Sequence, residues 1–254
     1  MLWFDVSSIR MRFSLPGSVQ TLGVLAVIAS ELAASYPVLA MDREAQAREL
    51  ALPRLQSRFR ECGLTYPPRS VFLRVYKFER ILELWARNDD DSPFRLVHTY
   101  PILAASGRAG PKLREGDEQV PEGVYRVVFF NPQSLYYLSL RLNYPNSSDL
   151  VRADRQHPGS DIYIHGNSVS IGCVAIGDEG ISEVYTAAHD ASGPIMVFLF
   201  PAKFTTENLA QLTAGQPEFT EFWQQLAAID QFITTKQRLP TIRVTPEGGY
   251  ALEQ

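Results

Sequence analysis

The sequence predicts a β-rich α+β domain, and three observations support this fold class. Segments rich in β-branched and aromatic residues crowd residues 71–200, and such segments are typical of strands. Helix-type periodicity flanks them at both ends and occurs once among them. The composition, with 45% hydrophobic and 20% charged residues, is that of a globular protein and argues against disorder, collagen and a coiled coil.

Charge and cysteine content narrow the functional classes. A formal net charge of −4 and the lack of a long basic run argue against nucleic acid as a partner. Two cysteines are too few for a disulfide-stapled scaffold, and they lack the C-x-x-C spacing of a zinc site. The functional classes that remain are a globular enzyme and a globular binding module.

The first 40 residues have the pattern of an export signal. Arg10 and Arg12 precede the apolar run of residues 22–29, and the segment ends in small residues at Ala40. A positive start, a short apolar run and a small-residue end are typical of a secretory signal peptide. The run is too short to span a bilayer by itself. An uncleaved membrane anchor and a buried N-terminal helix are the alternatives.

The next elements are a helix and a hairpin. Residues 42–63 are densely charged and predict a surface helix, which Pro53 splits or restarts. Residues 71–77 and 81–86 are β-rich and lie only a few residues apart, which predicts a hairpin. A long strand is predicted over residues 94–105.

A loop at residues 106–123 is the most distinctive segment, with four glycines and two prolines. Loops of this length in a compact domain are usually functional or mobile. Strands are predicted over residues 124–130 and 135–142, with a turn at the Asn-Pro pair in 131–134. Residues 144–159 are predicted to be another loop.

The rest of the chain predicts short strands and two helical regions. Residues 161–165 form a short strand, and Asp178 is expected to cap a helix that ends near residue 190. The continuous apolar run of residues 195–200 predicts a central strand. Pro217 opens a helix at its first position, and residues 241–252 predict a short hairpin. One face of that helix is apolar: Phe219, Phe222, Trp223, Leu226, Ile229, Phe232 and Ile233.

The residues that can carry chemistry lie between His165 and Cys173. A cysteine nucleophile must be deprotonated, and a nearby imidazole can take the proton. Gly172 lets the backbone amides beside the cysteine approach a substrate oxygen, which is what an oxyanion hole requires. If one strand ends at His165 and the chain returns to the sheet at Cys173, both side chains would lie at one end of the sheet.

This segment, IHGNSVSIGC, resembles the catalytic segment of YkuD-type L,D-transpeptidases, which carry an HG dipeptide followed by a Ser/Thr-x-Gly-Cys motif. The loop sequence GPKLREGDEQVPEGVY, the YPN run at residues 144–146 and HGN before the S-x-GC motif resemble the YafK-like branch in particular. The resemblance covers about residues 70–200.

The resemblance implies a domain organisation. Residues 69–204 form a catalytic domain of β-sandwich or barrel-like architecture with flanking helices. Residues 1–40 are the signal peptide or N-terminal anchor, and residues 41–68 are an N-terminal helical segment. Residues 205–254 form C-terminal helices and the short hairpin. The protein is expected in the periplasm, exported or anchored by residues 1–40.

The resemblance also assigns the catalytic roles. Cys173 is the nucleophile, His165 the general base, and the Gly166 carbonyl orients the imidazole. The backbone amide of Gly172, together with that of Cys173, forms the oxyanion hole. Cys173 attacks the carbonyl of meso-diaminopimelate in a peptidoglycan stem peptide and expels D-alanine or another amine. The acyl group then passes to an acceptor amine or to water, and no cofactor or metal is required.

Departures from the wider family leave the binding of the substrate carboxylate unassigned. Many members have His where this chain has Ile171, and Arg or Asn where this chain has residues 174–176. The span from His165 to Cys173 is also shorter than usual. The candidates for holding the carboxylate are Lys112, Arg114, Arg141 and Arg155. Further substrate-binding candidates are Ser170, Asn167 and Tyr144.

Several alternatives stay open at this point. YafK-like proteins have been linked to the release of the outer-membrane lipoprotein from peptidoglycan, so a periplasmic hydrolase or amidase of the same fold is the second hypothesis. A non-catalytic envelope-binding module is the third. Cys173 is alternatively an inert buried thiol or a disulfide partner of Cys62. Three loop carboxylates, read as solvated, resemble the acid–base pair of a glycosidase: Glu115, Asp117 and Glu122.

Overall fold

A computed structural model describes residues 42–253. The strands of this part of the chain are β1 Ser70–Tyr76, β2 Ile81–Arg87, β3 Arg95–Pro101, β4 Gly123–Ser134, β5 Tyr137–Leu142, β6 Tyr163–His165, β7 Val174–Ala175, β8 Met196–Phe200, β9 Ile242–Val244 and β10 Tyr250–Leu252. The helices are α1 Arg43–Glu61, α2 Ser147–Arg152, α3 Gly177–Asp190, α4 Thr206–Gly215 and α5 Thr220–Lys236, with a 3₁₀ turn at Pro217–Phe219. The predicted export signal lies outside the described residues.

The first eight strands form one sheet in the order β3-β2-β1-β8-β4-β5-β6-β7, and β9 pairs with β10 separately. The pairs β1–β8 and β6–β7 are parallel, and the other neighbours are antiparallel. The apolar run of residues 195–200 lies in the middle of the sheet as β8, as predicted. The fold is thus β-rich α+β.

The sheet curls so that its two edges meet. After β3, at one edge, the chain leaves the ladder with β2 and pairs instead with β7 at the other edge. This contact is an antiparallel bridge between Ala104 and Ala175. It includes a hydrogen bond from the Ala175 amide to the Ala104 carbonyl of 3.0 Å. The barrel-like architecture expected from the sequence is therefore present, and the closure brings residues 103–106 beside β7.

Two hydrophobic cores lie on opposite faces of β1, because successive side chains of a strand alternate between faces. Val71 and Val75 pack with residues of α1 and α3. Phe72 and Tyr76 pack with the apolar face of α5. Among the described residues, no helix combines the length and the apolar character needed to cross a membrane.

The predicted turn at residues 131–134 is wrong. β4 continues through Ser134, and the chain reverses at Leu135 and Tyr136. Pro132, which cannot donate a ladder hydrogen bond, lies where the register with β5 shifts between Asn131 and Ser134. The irregular ladder thus accommodates a proline that sequence reasoning takes as the end of a strand.

Two helix starts also differ from prediction. The loop predicted at residues 144–159 contains α2, which Asn146 caps by accepting hydrogen bonds from the amides of Ser148 and Asp149. Asp178 was expected to cap α3, but it lies inside the first turn, and its carboxylate accepts the Asn167 amide at 2.7 Å instead. The helix predicted over residues 42–63 forms as α1, with Pro53 inside it and without a break.

Candidate active site

The candidate nucleophile and base lie on two adjacent strands. β6 ends in His165, and Cys173 directly precedes β7. The parallel register pairs His165 with Ala175. Since paired residues share a face and alternate residues return to it, extending this register by two residues to Cys173 predicts that its side chain shares a face with His165. The backbone amide of Tyr163 donates a hydrogen bond to the Cys173 sulfur at 3.4 Å.

The imidazole of His165 is held in one orientation. The side chain is 2% exposed, and its Nδ1 lies 2.7 Å from the Gly166 carbonyl oxygen. A carbonyl can only accept, so this bond places the proton on Nδ1 and leaves Nε2 free to act as a base. The ring of Tyr136 covers the imidazole, with ring centroids 4.6 Å apart and planes tilted by 32°.

Burial shifts the pKa of both the thiol and the imidazole toward their neutral forms. Burial raises the pKa of the Cys173 thiol, and the Tyr163 amide and the positive charge of Lys112 offset this only in part. Burial lowers the pKa of His165 against the opposing effect of the Gly166 carbonyl. Among residues 42–253, no hydrogen bond joins the Cys173 sulfur to the His165 ring. Burial therefore favours a neutral thiol and imidazole over a thiolate–imidazolium pair.

Serine hydroxyls hold the two amides beside the nucleophile. The Gly172 amide donates to Ser106 Oγ at 2.6 Å, and the Cys173 amide donates to Ser170 Oγ at 3.0 Å. Ser170 Oγ in turn donates to the Cys173 carbonyl at 2.8 Å. Gly172 has a φ of +84°, a conformation that glycine adopts without the penalty that a Cβ imposes. The turn therefore presents both amides on a fixed backbone.

Close packing around Gly166, the residue after His165, leaves no room for a Cβ, and a tight turn follows at Asn167. A Cβ on Gly166 would lie 2.5 Å from Asp178 Oδ1 and 2.7 Å from the Tyr136 carbonyl. Asn167 has a φ of +61°, and its carbonyl accepts the Gly177 amide at 3.0 Å. The HG dipeptide therefore fixes the end of β6 against the start of α3.

One buried cation lies beside the thiol. Lys112 is 7% exposed, and its ammonium donates to Asp117 Oδ1 at 2.5 Å and to the Arg114 carbonyl at 2.9 Å. A Cβ on Gly159 would lie 2.5 Å from Lys112 Cε, so the glycine makes room for the lysine. Residues 159–163 run from this contact to the Tyr163 amide that binds the Cys173 sulfur.

A comparison with known proteins agrees with this geometry. A family model described as the YkuD L,D-transpeptidase catalytic domain matches residues 72–197. The Escherichia coli K12 protein named "Putative L,D-transpeptidase YafK" is 31% identical over 190 residues, which cover 72% of this chain and 74% of that protein. The chain belongs to the YkuD L,D-transpeptidase family. This membership confirms the resemblance stated from the motifs.

Solved structures with a related fold are more distant. The K307A mutant of the helical cell shape determining protein Pgp2 from Campylobacter jejuni is 18% identical, and the match covers 78% of this chain and 80% of that one with a TM-score of 0.45. Bd1075 from Bdellovibrio bacteriovorus is 25% identical, covers 68% of this chain and 63% of its own, and has a TM-score of 0.39.

The departures of this L,D-transpeptidase family member from the wider family have a structural basis. Val174 and Ile176, at positions where many members carry Arg or Asn, are buried in the core. Of the four candidate cations, only Lys112 is both buried and close enough to influence the Cys173 thiol. Arg114 and Arg155 are exposed, and Arg141 lies 3.4 Å from Asp161 in an ion pair.

Three further candidates for substrate binding make mainly structural contacts within the protein. Ser170 closes the turn at Cys173, and Asn167 ties β6 to α3, as described above. Tyr144 is 5% exposed, and its hydroxyl donates to the Pro158 carbonyl at 2.6 Å. Their predicted roles in substrate binding stay predictions.

Sequence reasoning missed two residues of the site. Ser106 contacts the Gly172 amide from a distant loop, and no sequence signal links the two. Tyr136, whose ring covers His165, lies outside the segment from His165 to Cys173 that carries the motif. Its partial exposure of 42% leaves it accessible at the site.

The competing assignments for other residues are resolved by contacts. Both cysteines are free, and the Cys62 thiol donates to the Phe59 carbonyl at 3.2 Å. Glu122, read as part of a solvated loop, is 0% exposed. Its carboxylate accepts from Lys77 at 2.9 Å and from Trp223 Nε1 at 2.8 Å, so it is a buried structural anchor.

Proposed function

We propose that this protein is a periplasmic cysteine-dependent L,D-transpeptidase that forms a thioacyl intermediate on Cys173 at the meso-diaminopimelate of peptidoglycan stem peptides. One observation carries the proposal: His165 ends β6, Cys173 directly precedes its parallel neighbour β7, and the Gly166 carbonyl fixes the imidazole tautomer. A nucleophile, a base and a group that orients the base are the parts needed for covalent acyl transfer. Family membership supports peptidoglycan as the substrate.

The first half-reaction starts from a neutral pair. His165 Nε2 takes the thiol proton as the Cys173 sulfur attacks the diaminopimelate carbonyl. The tetrahedral intermediate then collapses, the C–N bond breaks, and the leaving amine takes the proton back from His165. D-alanine, or another amine in that position, departs, and a thioester remains on Cys173.

The Gly172 and Cys173 amides stabilise the oxyanion of that intermediate. In the resting site each amide donates to a serine hydroxyl, which keeps both aligned without a substrate. The substrate oxygen replaces Ser106 on the Gly172 amide and Ser170 on the Cys173 amide when it arrives. Preorganised donors of this kind contribute strongly to catalysis because they need no reorientation during the reaction.

Lys112 holds the carboxylate of the diaminopimelate. An ammonium has three N–H donors, and the two hydrogen bonds to Asp117 and to the Arg114 carbonyl leave one of them for a ligand. A carboxylate bound beside the thiol would place the neighbouring carbonyl within reach of Cys173. Lys112 thus supplies the cation that residues 174–176 lack in this chain.

The second half-reaction decides the class of enzyme. Transfer of the acyl group to an amine gives a cross-link, and transfer to water gives hydrolysis. We favour transfer, and propose that the protein acts in peptidoglycan remodelling, cell-wall organisation and cell shape. A hydrolase that releases outer-membrane lipoprotein uses the same site and the same thioester, and differs only in the acceptor.

Product analysis tests the proposal. Sacculi that carry bound lipoprotein are incubated with the purified protein or with its Cys173→Ala variant, and the muropeptides are analysed by mass spectrometry. New diaminopimelate–diaminopimelate cross-links that the variant does not form are expected. Freed lipoprotein or trimmed stems without cross-links would make the protein a hydrolase. No change with either sample would contradict the proposal and favour a non-catalytic module.

A further inference from the structure

A pocket of about 500 Å³ opens next to the candidate active site. Its walls are the turn between β1 and β2, residues 105–109 and the helix α4. Pockets of 300–1,000 Å³ are typical of small-ligand sites. Neither Cys173 nor His165 lines it, so it is a separate compartment.

The pocket shares a wall with the nucleophile. The antiparallel bridge between Ala104 and Ala175, extended by two residues, places Ser106 opposite Cys173. Ser106 lines the pocket, and its hydroxyl accepts the Gly172 amide at 2.6 Å. A ligand that contacts Ser106 in the pocket therefore touches the residue that lies opposite Cys173 across this bridge.

The pocket and Lys112 lie on opposite sides of β7. The neighbours of β7 are β6 on one side and residues 103–106 on the other. Lys112 packs against Gly159, in the loop that leads into β6, whereas Ser106 belongs to the segment on the other side of β7. A peptide bond at Cys173 with its acyl residue on Lys112 therefore directs its amine-side residue toward the pocket.

The charge of the pocket favours an anion. Among the described residues that line it are three cations and no carboxylate. The charge of Lys77 is matched by Glu122 at 2.9 Å. Arg80 is exposed, and its guanidinium donates to the carbonyls of Ile102 and Leu103.

Arg108 is the freest of these cations. Its guanidinium is exposed, and it forms no hydrogen bond or ion pair within residues 42–253, where only its backbone amide is bound, to Gln119 Oε1. Three amide side chains of the pocket can add hydrogen bonds to a peptide: Asn208, Gln211 and Gln216.

We infer that this pocket binds a carboxylate-bearing peptide segment on the amine side of the bond that Cys173 attacks. The inference rests on the proposed function, because it uses the direction in which the substrate crosses Cys173. It assigns the helix α4 to the recognition of the leaving or accepting partner. The ligand class is an acidic peptide, with Arg108 as its main electrostatic contact.

Direct binding to the full-length Cys173→Ala protein tests this inference without requiring turnover. The probe is a synthetic peptide whose acyl half is L-Ala–D-isoGlu–meso-diaminopimelate and whose amine half carries two aspartates. Its matched partner carries asparagines there. Fluorescence anisotropy measures the affinity of each probe. Arg108→Glu is expected to weaken binding of the aspartate probe tenfold or more, and Arg108→Lys is expected to bind it with near-normal affinity. The asparagine probe is expected to bind weakly and to be insensitive to either change.

Two controls keep the result interpretable. Arg60→Glu reverses an exposed charge on α1, away from the pocket, and is expected to leave the binding of both probes unchanged. The melting temperature of Arg108→Glu shows whether the variant is folded. Equal binding of the two probes, or an aspartate probe that is insensitive to Arg108→Glu, would overturn the inference. The proposed function would still stand if the unmodified protein processes sacculi.

Discussion

At the scale of single residues, the protonation state of the Cys173–His165 pair sets how the thiol reacts. Burial raises the pKa of the Cys173 thiol and lowers that of His165, so the thiolate fraction at neutral pH is smaller than for an ordinary cysteine. We therefore propose that the nucleophile is generated by proton transfer during attack. This differs from a cysteine that an adjacent imidazolium keeps ionised.

The pH dependence of alkylation tests this state. In a Cys62→Ala background, the rate of reaction of Cys173 with iodoacetamide is expected to rise with pH up to and beyond the ordinary thiol pKa of about 8.5. It should show no reactive plateau between about pH 5 and 7, where a thiolate–imidazolium pair would react. His165→Ala should lower the rate near neutral pH because the base is lost. Such a plateau, or a rate that does not depend on His165, would contradict this account.

The role proposed for Lys112 predicts a change in discrimination. The unmodified protein should process a stem peptide with a free diaminopimelate carboxylate better than the same peptide with that group amidated, by about tenfold or more, since a charge-assisted hydrogen bond contributes about 1.5–3 kcal/mol. Lys112→Met should process both peptides at the lower rate. Kinetics of the four combinations form a double-mutant cycle. Retained discrimination in the variant would remove Lys112 from carboxylate binding.

Gly166 predicts a steric effect. A Cβ there would approach Asp178 Oδ1 and the Tyr136 carbonyl at 2.5 and 2.7 Å, so Gly166→Ala is expected to cost about 1–3 kcal/mol, as overpacking does. It should also displace the carbonyl that orients His165. Gly215→Ala is the matched control, because nothing lies within 4 Å of a Cβ at that position. Thermal denaturation compares the two, and equal melting temperatures would show that the end of β6 adjusts freely.

At the scale of elements, the loop at residues 106–122 is organised around one carboxylate. Asp117 accepts from the Lys112 ammonium and from the backbone amides of Leu113, Arg114 and Gln119. Burial opposes ionisation of this carboxyl, but these donors together lower its pKa. The ionised carboxylate of Asp117 thus stabilises the conformation of this loop, which reaches the candidate active site.

Asp117→Asn tests this organisation. A group with a lowered folded-state pKa stabilises the protein above its unfolded pKa, about 3.9 for Asp, and that stability is lost as pH falls through the folded value. The variant is expected to be less stable than the unmodified protein at pH 7, by about 1–2 kcal/mol. The difference should shrink on acidification below about pH 4. Denaturant unfolding at several pH values measures it, and a pH-independent difference would contradict the charge argument.

How far the sequence predicts each element depends on whether its signal is local. The hairpin of β1 and β2, the central β8 and the apolar face of α5 have strong local patterns and form as predicted. Pro132 and Asn146 mislead because their local preferences for turns are overridden by an irregular ladder and a capping box. Cys173 and His165 are found from a motif. Ser106 is not, since curling of the sheet alone brings it to Gly172.

At the scale of the whole molecule, the sheet connects the C-terminal helices to the site. Glu122 is the meeting point: it accepts from Lys77 at the end of β1, from the Gly110 amide of the loop at 2.7 Å and from Trp223 of α5. Removing one partner from a buried, paired charge is strongly destabilising. The loop that carries Ser106 and Lys112 is therefore tied to both hydrophobic cores. The domain boundaries predicted at residues 68 and 204 stay predictions.

The central claim is that Cys173 becomes acylated by a stem peptide, and intact-protein mass spectrometry tests it most directly. The full-length protein is mixed with a tetrapeptide stem that ends in D-alanine, quenched in acid and weighed. The account predicts a mass increase equal to the stem without D-alanine, mapped by digestion to Cys173, and no increase for Cys173→Ala. An adduct on Cys62, an adduct that persists in Cys173→Ala, or no adduct while the substrate is still consumed would contradict it.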